Sequence, residues 1–122
     1  MAETAKEREL PLLFACSGAA DVGAVADQAA RLLTRERQGR MYCATGIGGR
    51  VPGILATTRA AARVVAIDGC PLHCMQQSLQ QAGITGFTHV RLAEHGFVKG
   101  ATAVTAENAA RAAALVTEAI HG

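Results

Sequence analysis

Aromatic side chains and clusters of basic charge are scarce in this chain of 122 residues. It contains no Trp, one Tyr and three Phe, and its 12 Lys and Arg residues are scattered among 10 Asp and Glu residues, giving a formal net charge of +2. A nucleic-acid-binding surface needs a basic stripe or aromatic side chains on which bases stack. Because the chain has neither, we expect no nucleic-acid partner.

Long apolar segments are also missing. No stretch approaches the roughly 18–20 consecutive apolar residues of a membrane span, and the charged first nine residues lack the apolar run of a secretory signal. The sequence therefore predicts a cytoplasmic protein with no membrane partner. Thiols stay reduced in the cytoplasm, so cysteines there are typical of metal-binding or catalytic sites rather than of disulfides.

Apolar residues, in contrast, make up 50 % of the chain, and only 18 % of the residues are charged. This composition excludes a generally disordered chain. The length is that of one domain. Such a domain buries roughly 65–70 % of its unfolded surface and folds without a disulfide or a structural metal. We predict this domain at residues 10–122 and a loose N-terminal arm at residues 1–9.

Four segments have the pattern of strands, and a helical pattern follows each of them. The strands are predicted at residues 10–15, 40–44, 63–67 and 88–92. The helices are predicted at residues 20–37, 52–62 and 71–83, with Leu72, Met75 and Leu79 inward in the third, and after a Thr105 cap. This alternation predicts an α/β fold, a small three-layer α/β/α sandwich whose four-stranded parallel sheet has the flavodoxin-like or Rossmann-like order 2-1-3-4.

Four cysteines follow the predicted strands. Cys16, Cys43 and Cys70 each lie at the end of a strand, 27 residues apart, and Cys74 comes four residues after Cys70. The carboxyl ends of parallel strands meet at the edge where such sheets bind ligands, and neighbouring strands are about 4.8 Å apart. The sequence therefore predicts that the four thiols converge, as a tetrahedral zinc site with Zn–S bonds of about 2.3 Å requires.

Other uses of these thiols stay open. An iron–sulfur electron carrier also takes four cysteine ligands. A thiol oxidoreductase would use Cys70, predicted at the N-cap of a helix that Pro71 opens, where amides and the helix dipole stabilise a thiolate. Cys74 would then be the resolving thiol. The bland alternative is that all four are ordinary small apolar side chains.

Polar residues near the cysteines have less specific patterns. Three roles are open for Asp68: it could cap a turn, orient a ligand or take a proton. The favoured interpretation is a turn residue whose side chain makes a local hydrogen bond before Gly69. The segment from Cys43 to Arg50 resembles the anion-binding loop of thiol phosphatases, but six residues intervene instead of five, so a Gly-rich turn is expected. None of the four histidines is predicted as a primary ligand, and we expect His73 to face solvent.

Taken together, these motifs resemble the DGC-domain family, which is named for the tripeptide within Ile67-Asp68-Gly69-Cys70-Pro71-Leu72-His73-Cys74. Further segments carry the resemblance: Cys16-Ser17-Gly18, Met41-Tyr42-Cys43, Ile47-Gly48-Gly49 and Gly96-Phe97-Val98-Lys99.

The resemblance implies metal binding by Cys16, Cys43, Cys70 and Cys74, with Zn²⁺ as the expected cofactor and no established reaction. We expect a metal carrier or sensor rather than an enzyme, because a core of this length folds without a metal staple. The expected partner is then the metal ion. The Ala-rich helices could also pack between two copies of the chain, so a homo-oligomer is a further possibility.

Overall fold

Apolar strands covered by amphipathic helices on both faces form the part of the chain described by the computed structural model, residues 9–122. The strands are β1 Leu12–Ala15, β2 Arg40–Met41, β3 Val64–Asp68 and β4 Thr88–Arg91. The helices α1 to α5 are Asp21–Arg35, Ala44–Gly48, Pro52–Ala60, Cys74–Gln81 and Ala106–His121, and a 3-10 helix, Leu92–His95, follows β4. Of the predicted N-terminal arm, residues 1–8 lie outside the described residues, and Glu9 is exposed.

The sheet is parallel throughout, with the strand order β2-β1-β3-β4. The predicted order is therefore confirmed. The central strands β1 and β3 are buried along their whole lengths, because helices cover both of their faces. From β1 the chain winds outward to β2, and from β3 it winds outward to β4. The topological switch point therefore lies between the carboxyl ends of β1 and β3.

Alternating side chains of the central strands feed two separate apolar clusters, one on each face of the sheet. Leu13, Ala15, Val65 and Ile67 pack with the buried stripes of α1 and α5. Leu12, Phe14, Val64 and Ala66 pack with apolar side chains of α2, α3 and α4. These clusters confirm the predicted three layers. Within residues 9–122, no helix combines the length and apolar character that a membrane crossing needs.

The predicted start of the third long helix is wrong. Helix α4 begins at Cys74 instead of Pro71, and Leu72, which was expected to face the core, is 67 % exposed. Residues 70–73 form a turn in which the His73 amide donates to the Cys70 carbonyl at 3.4 Å. His73 adopts a φ of 55° there, which ends any helical path through this segment.

The segment after Cys43 also differs from its prediction. Strand β2 stops at Met41, and the expected Gly-rich loop is the short helix α2. The Cys43 sulfur caps this helix by accepting the amide hydrogen of Gly46 at 3.3 Å. Gly46 is buried, and a Cβ there would lie 2.2 Å from the Ile54 side chain, so this turn packs too tightly to be an open anion-binding loop.

Gly69 brings the end of β3 against the first turn of α1. A Cβ at this position would lie 2.2 Å from the backbone oxygen of Val22. We expect Gly69→Ala to lower the free energy of unfolding by about 1–3 kcal/mol, because the added methyl overpacks this contact. Urea unfolding measures the change. Gly53→Ala in α3 is the control: its Cβ meets nothing within 4 Å, and stability should rise by about 0.5–1 kcal/mol. Equal stability of Gly69→Ala and the parent would contradict this packing.

Candidate functional site

The four cysteines lie at the carboxyl edge of the sheet, around the switch point. Cys16 directly follows β1, Cys43 and Cys70 lie just beyond β2 and β3, and Cys74 is the first residue of α4. All four are free thiols; Cys16 and Cys70 are half-buried, whereas Cys43 and Cys74 are exposed. The thiols are thus placed where an α/β sheet of this topology binds its ligands.

A cleft of about 340 Å³ opens at this edge, and both Cys16 and Cys74 line it. Its remaining wall residues belong to α2 with the residue after it and to the first turns of α4: Ala44, Thr45, Gly48, Gly49, Met75 and Ser78. The cleft therefore connects Cys16, which follows the central strand β1, with Cys74, which begins α4.

Backbone amides donate hydrogen bonds to two of the sulfur atoms. Gly69 N–H donates to Cys16 Sγ, and Gly46 N–H donates to Cys43 Sγ, each at 3.3 Å. Such bonds stabilise negative charge on sulfur. The thiolate is the form that binds metals.

Burial has the larger effect on Cys16. It raises the pKa of the Cys16 thiol above its ordinary value, against the lowering by the amides of Gly69 and Gly18, and the charges of Asp68 and Cys70 raise it further. The free Cys16 thiol therefore keeps its proton at neutral pH. Cys70 also lies near enough to Cys16 for the charges of the two thiols to interact.

Among residues 9–122, no three side chains of His, Cys, Asp or Glu are arranged to hold a metal ion. The four thiols share one edge without forming such a group. Their chemistry nevertheless suits a thiophilic ion, because four thiolates ligate zinc and iron–sulfur clusters. Each sulfur moves by rotation about a single side-chain torsion. The donor type therefore suits a thiophilic ion, and binding one requires the exposed Cys43 and Cys74 to reorient.

The expected activation of Cys70 by a helix N-terminus is wrong. Helix α4 begins at Cys74, and the amides of its first turn donate to another group, the carboxylate of Asp68. The phosphatase-like geometry is absent as well, as expected. The Arg50 guanidinium donates to the carbonyls of Ile47 and Gly48 at 2.8 and 3.2 Å, so it closes the end of α2.

A buried Asp–His pair lies beside the cysteines, and the sequence pattern did not predict it. Asp68 is 1 % exposed. Its carboxylate accepts hydrogen bonds from the Met75 amide at 2.8 Å, the Gln76 amide at 3.1 Å and His89 Nε2 at 2.7 Å. The favoured role of Asp68 as a local turn residue is therefore wrong, since it caps α4. Asp68 and His89 are titratable residues on the neighbouring strands β3 and β4. Their contact depends on the register of these two strands, which the sequence does not reveal.

His89 is held as a neutral donor. Its side chain is 8 % exposed, and its ring packs edge-on against those of His73 and Phe87 at 5.0 and 6.5 Å. His73 is half-buried, so the expectation that it faces solvent is wrong. Because the Asp68 carboxylate only accepts, Nε2 carries the proton. The opposite nitrogen, Nδ1, is buried and has no hydrogen-bond partner within the described part of the chain.

Burial lowers the pKa of His89 below its ordinary value of 6.5, against the raising effect of Asp68, and the charges of Arg91 and His73 lower it further. As the pH falls through about 6.5, the unfolded chain therefore binds a proton at His89 before the folded chain does. We expect the free energy of unfolding to fall from that pH down through the folded pKa.

The measurement is urea unfolding at about pH 7.5 and about pH 5.5, on either side of the unfolded pKa of a histidine. His89→Gln removes the titrating group while keeping an amide donor, so this variant should lose less stability between the two pH values than the parent. An equal or larger loss in His89→Gln would contradict the role of His89. His95 and His121 are both exposed in the fold.

Sequence comparisons identify a family and a relative that the chain resembles. The family profile described as the DGC domain matches residues 12–116, a region that contains all four cysteines and the Asp68–His89 pair. A Pseudomonas aeruginosa protein, the anaerobic and virulence modulator AnvM, is 38 % identical over 99 residues, which cover 81 % of this chain and 76 % of that protein. No solved structure matches the sequence.

Proposed function

The chain belongs to the DGC domain family, and we propose that it binds a metal ion, Zn²⁺ in the first place, through the thiolates of Cys16, Cys43, Cys70 and Cys74. One observation above all supports the proposal: four free thiols lie at the carboxyl edge of a parallel sheet, the edge that contains its switch point. Parallel α/β sheets bind their ligands at this position, and zinc prefers thiolate ligands.

The number of thiolates that bind the ion at one time distinguishes a structural site from a site that exchanges its ion or ligands. Four thiolates close the coordination sphere, as in structural sites, and three leave a position open for a water or a transferred ligand. The two apolar clusters already support the sheet without a staple, and Cys43 and Cys74 are exposed. We therefore favour a carrier or a sensor, in which the exposed thiols release or capture the ion.

A regulatory use agrees with the name of the Pseudomonas aeruginosa relative, which describes a modulator. We place the protein in the cytoplasm, where thiols stay reduced and available to a metal. Binding of the ion expels the proton of Cys16, because the thiolate is the ligand.

An iron–sulfur cluster is the closest alternative, since it would take the same four thiolates. A thiol oxidoreductase that uses Cys70 and Cys74 has less support. The helix N-terminus that was expected to stabilise a Cys70 thiolate begins at Cys74 instead of Pro71. The amides of its first turn donate to Asp68.

Titration of the reduced protein with Co²⁺ tests the proposal, because cobalt occupies thiolate sites and absorbs light through them. We expect thiolate-to-cobalt absorbance that saturates at about one ion per chain, as a single tetrahedral site requires, and that Zn²⁺ abolishes by displacement. The Thr45→Ala variant, which changes the cleft wall and keeps all four cysteines, should give the same spectrum. A wild-type spectrum without thiolate-to-cobalt absorbance would contradict the proposal.

A further inference from the structure

Residues 70–74, here called the Cys70–Cys74 turn, carry two of the four candidate ligands and are tied at both ends to one carboxylate. Asp68 lies two residues before Cys70 in the chain. Its oxygens accept the amide hydrogens of Met75 and Gln76, directly after Cys74, at 2.8 and 3.1 Å. The turn is therefore closed into a loop whose base is a single buried side chain.

The Cys70–Cys74 turn has exposed and packed residues: the His73 ring packs on that of His89 at 5.0 Å, and Cys70 packs against an apolar cluster. Pro71, Leu72 and Cys74 are exposed, Leu72 to 67 %. The hydrogen bond across the turn, from the His73 amide to the Cys70 carbonyl, is long at 3.4 Å. His73 also has a φ of 55°, a conformation that L residues rarely adopt and that the surroundings must enforce. The bonds of Asp68 to the start of α4, together with the buried Met75 and Leu79 of that helix, fix the position of Cys74 relative to the sheet.

His89 holds Asp68 in place. Its Nε2 donates to an Asp68 oxygen at 2.7 Å, and both side chains are more than nine-tenths buried. Protonation of His89 would bury a second N–H group, at Nδ1, which has no partner among residues 9–122. A buried donor without an acceptor is unfavourable. His89 is therefore suited to one task, the donation of a single hydrogen bond to Asp68.

We propose that Asp68 and His89 are positioning residues that fix the spacing of Cys70 and Cys74, an inference that rests on the proposed function of these thiols as ligands. The pair acts from outside the thiol group: His89 orients the carboxylate, the carboxylate fixes the first turn of α4, and that turn carries Cys74. Partners that orient metal ligands in this way typically contribute about 10–100-fold to metal affinity.

The first test compares Co²⁺ and Zn²⁺ binding by the wild type, His89→Phe and His89→Gln. Phe keeps the ring without a donor, whereas the Gln amide reaches the position of Nε2. We expect His89→Phe to bind both ions about 10–100-fold more weakly and to lose the cobalt absorbance of one thiolate, and His89→Gln to restore both. In the His89→Phe background, Cys74→Ser should weaken binding less than it does in the wild type. His89→Asn, whose amide is too short to reach Asp68, replaces His89→Phe if that variant does not fold.

A second test needs no metal and separates this inference from the proposed function. Phenylarsenoxide condenses with two neighbouring thiols, forming two As–S bonds and releasing one water without oxidation. The probe is applied to the Cys16→Ser/Cys43→Ser chain, which keeps only Cys70 and Cys74. We expect His89→Phe to weaken its capture by about tenfold, in line with the effect on a metal, and His89→Gln to restore it.

The outcomes are distinct. A folded His89→Phe protein that binds metal and arsenical as the wild type does overturns the positioning role. A wild type that binds no metal, while arsenical capture still depends on His89, overturns the proposed function and supports the spacing role of the pair.

Discussion

Replacing Asp68 by alanine is expected to lower the free energy of unfolding by about 3–5 kcal/mol, as the loss of one partner from a buried polar pair typically does. The substitution leaves three donors without their acceptor: the amides of Met75 and Gln76 and the Nε2–H of His89. Each of these groups is buried or partly buried, and an unsatisfied donor costs about 1–3 kcal/mol. Since domains are stable by only about 5–15 kcal/mol, the variant should be close to unfolding.

Urea unfolding of the reduced protein measures this loss, and Asp27→Ala is the matched control. Asp27 also accepts hydrogen bonds, from Ser17 and Arg31 at 2.8 Å each, but these bonds are exposed. Exposed pairs of this kind contribute up to about 1 kcal/mol. A loss in Asp68→Ala no larger than that in Asp27→Ala would show that the carboxylate does not hold α4 to the sheet.

Cys16→Ser and Cys70→Ser are each expected to weaken Zn²⁺ binding by more than the roughly 10–100-fold that the loss of an outer partner costs. Serine keeps the size of the side chain but removes the soft thiolate that zinc prefers. The two residues follow the neighbouring strands β1 and β3, so a shared site needs both. Competition with a coloured chelator under reducing, anaerobic conditions measures the affinity.

The same pair of variants separates the proposed site from a thiol oxidoreductase. A redox reaction at Cys70 and Cys74 would be lost in Cys70→Ser and nearly unchanged in Cys16→Ser, whereas a shared metal site loses affinity in both. Zinc affinity that falls in Cys70→Ser alone would contradict the four-thiolate site. Thr45→Ala, in the wall of the same cleft, controls for general disturbance of the edge.

The arrangement of the sheet and the edge that carries the cysteines could be predicted because both follow from short-range patterns. Continuous apolar runs at residues 12–15 and 64–67 mark buried parallel strands. Right-handed crossovers then restrict the possible strand orders. Once the order is known, the residues that follow each strand are known to share an edge, and these residues include Cys16, Cys43 and Cys70.

The Asp68–His89 pair could not be predicted in this way, because it depends on tertiary register. His89 pairs with Ala66, and its ring reaches Asp68 only because both lie on the α4 face of the sheet. The start of α4 was missed for a related reason. Pro71 is a common first residue of a helix, but here the capping group is Asp68, which accepts the amides of Met75 and Gln76. A capping side chain that comes from a strand leaves no local signal in the helix sequence.

Short-range signals also misjudged Leu72 and the segment after Cys43. Leu72 has the spacing of an inward helical residue, but it lies in the Cys70–Cys74 turn and is exposed. The glycines after Cys43 suggested a loop, yet the Cys43 sulfur caps a short helix there. In each case a polar group of the candidate site determines the backbone, so the local errors concentrate where function is proposed.

The metal content of the protein tests the central claim most directly. The protein is purified anaerobically, without added metal or chelator, and is examined by plasma mass spectrometry together with its absorbance spectrum. We predict about one zinc per chain, as one tetrahedral site would hold, no visible absorbance, and loss of the zinc in Cys16→Ser and Cys70→Ser alike. Iron with a visible band would indicate an electron carrier instead, and a reduced, folded protein without any metal would contradict the account.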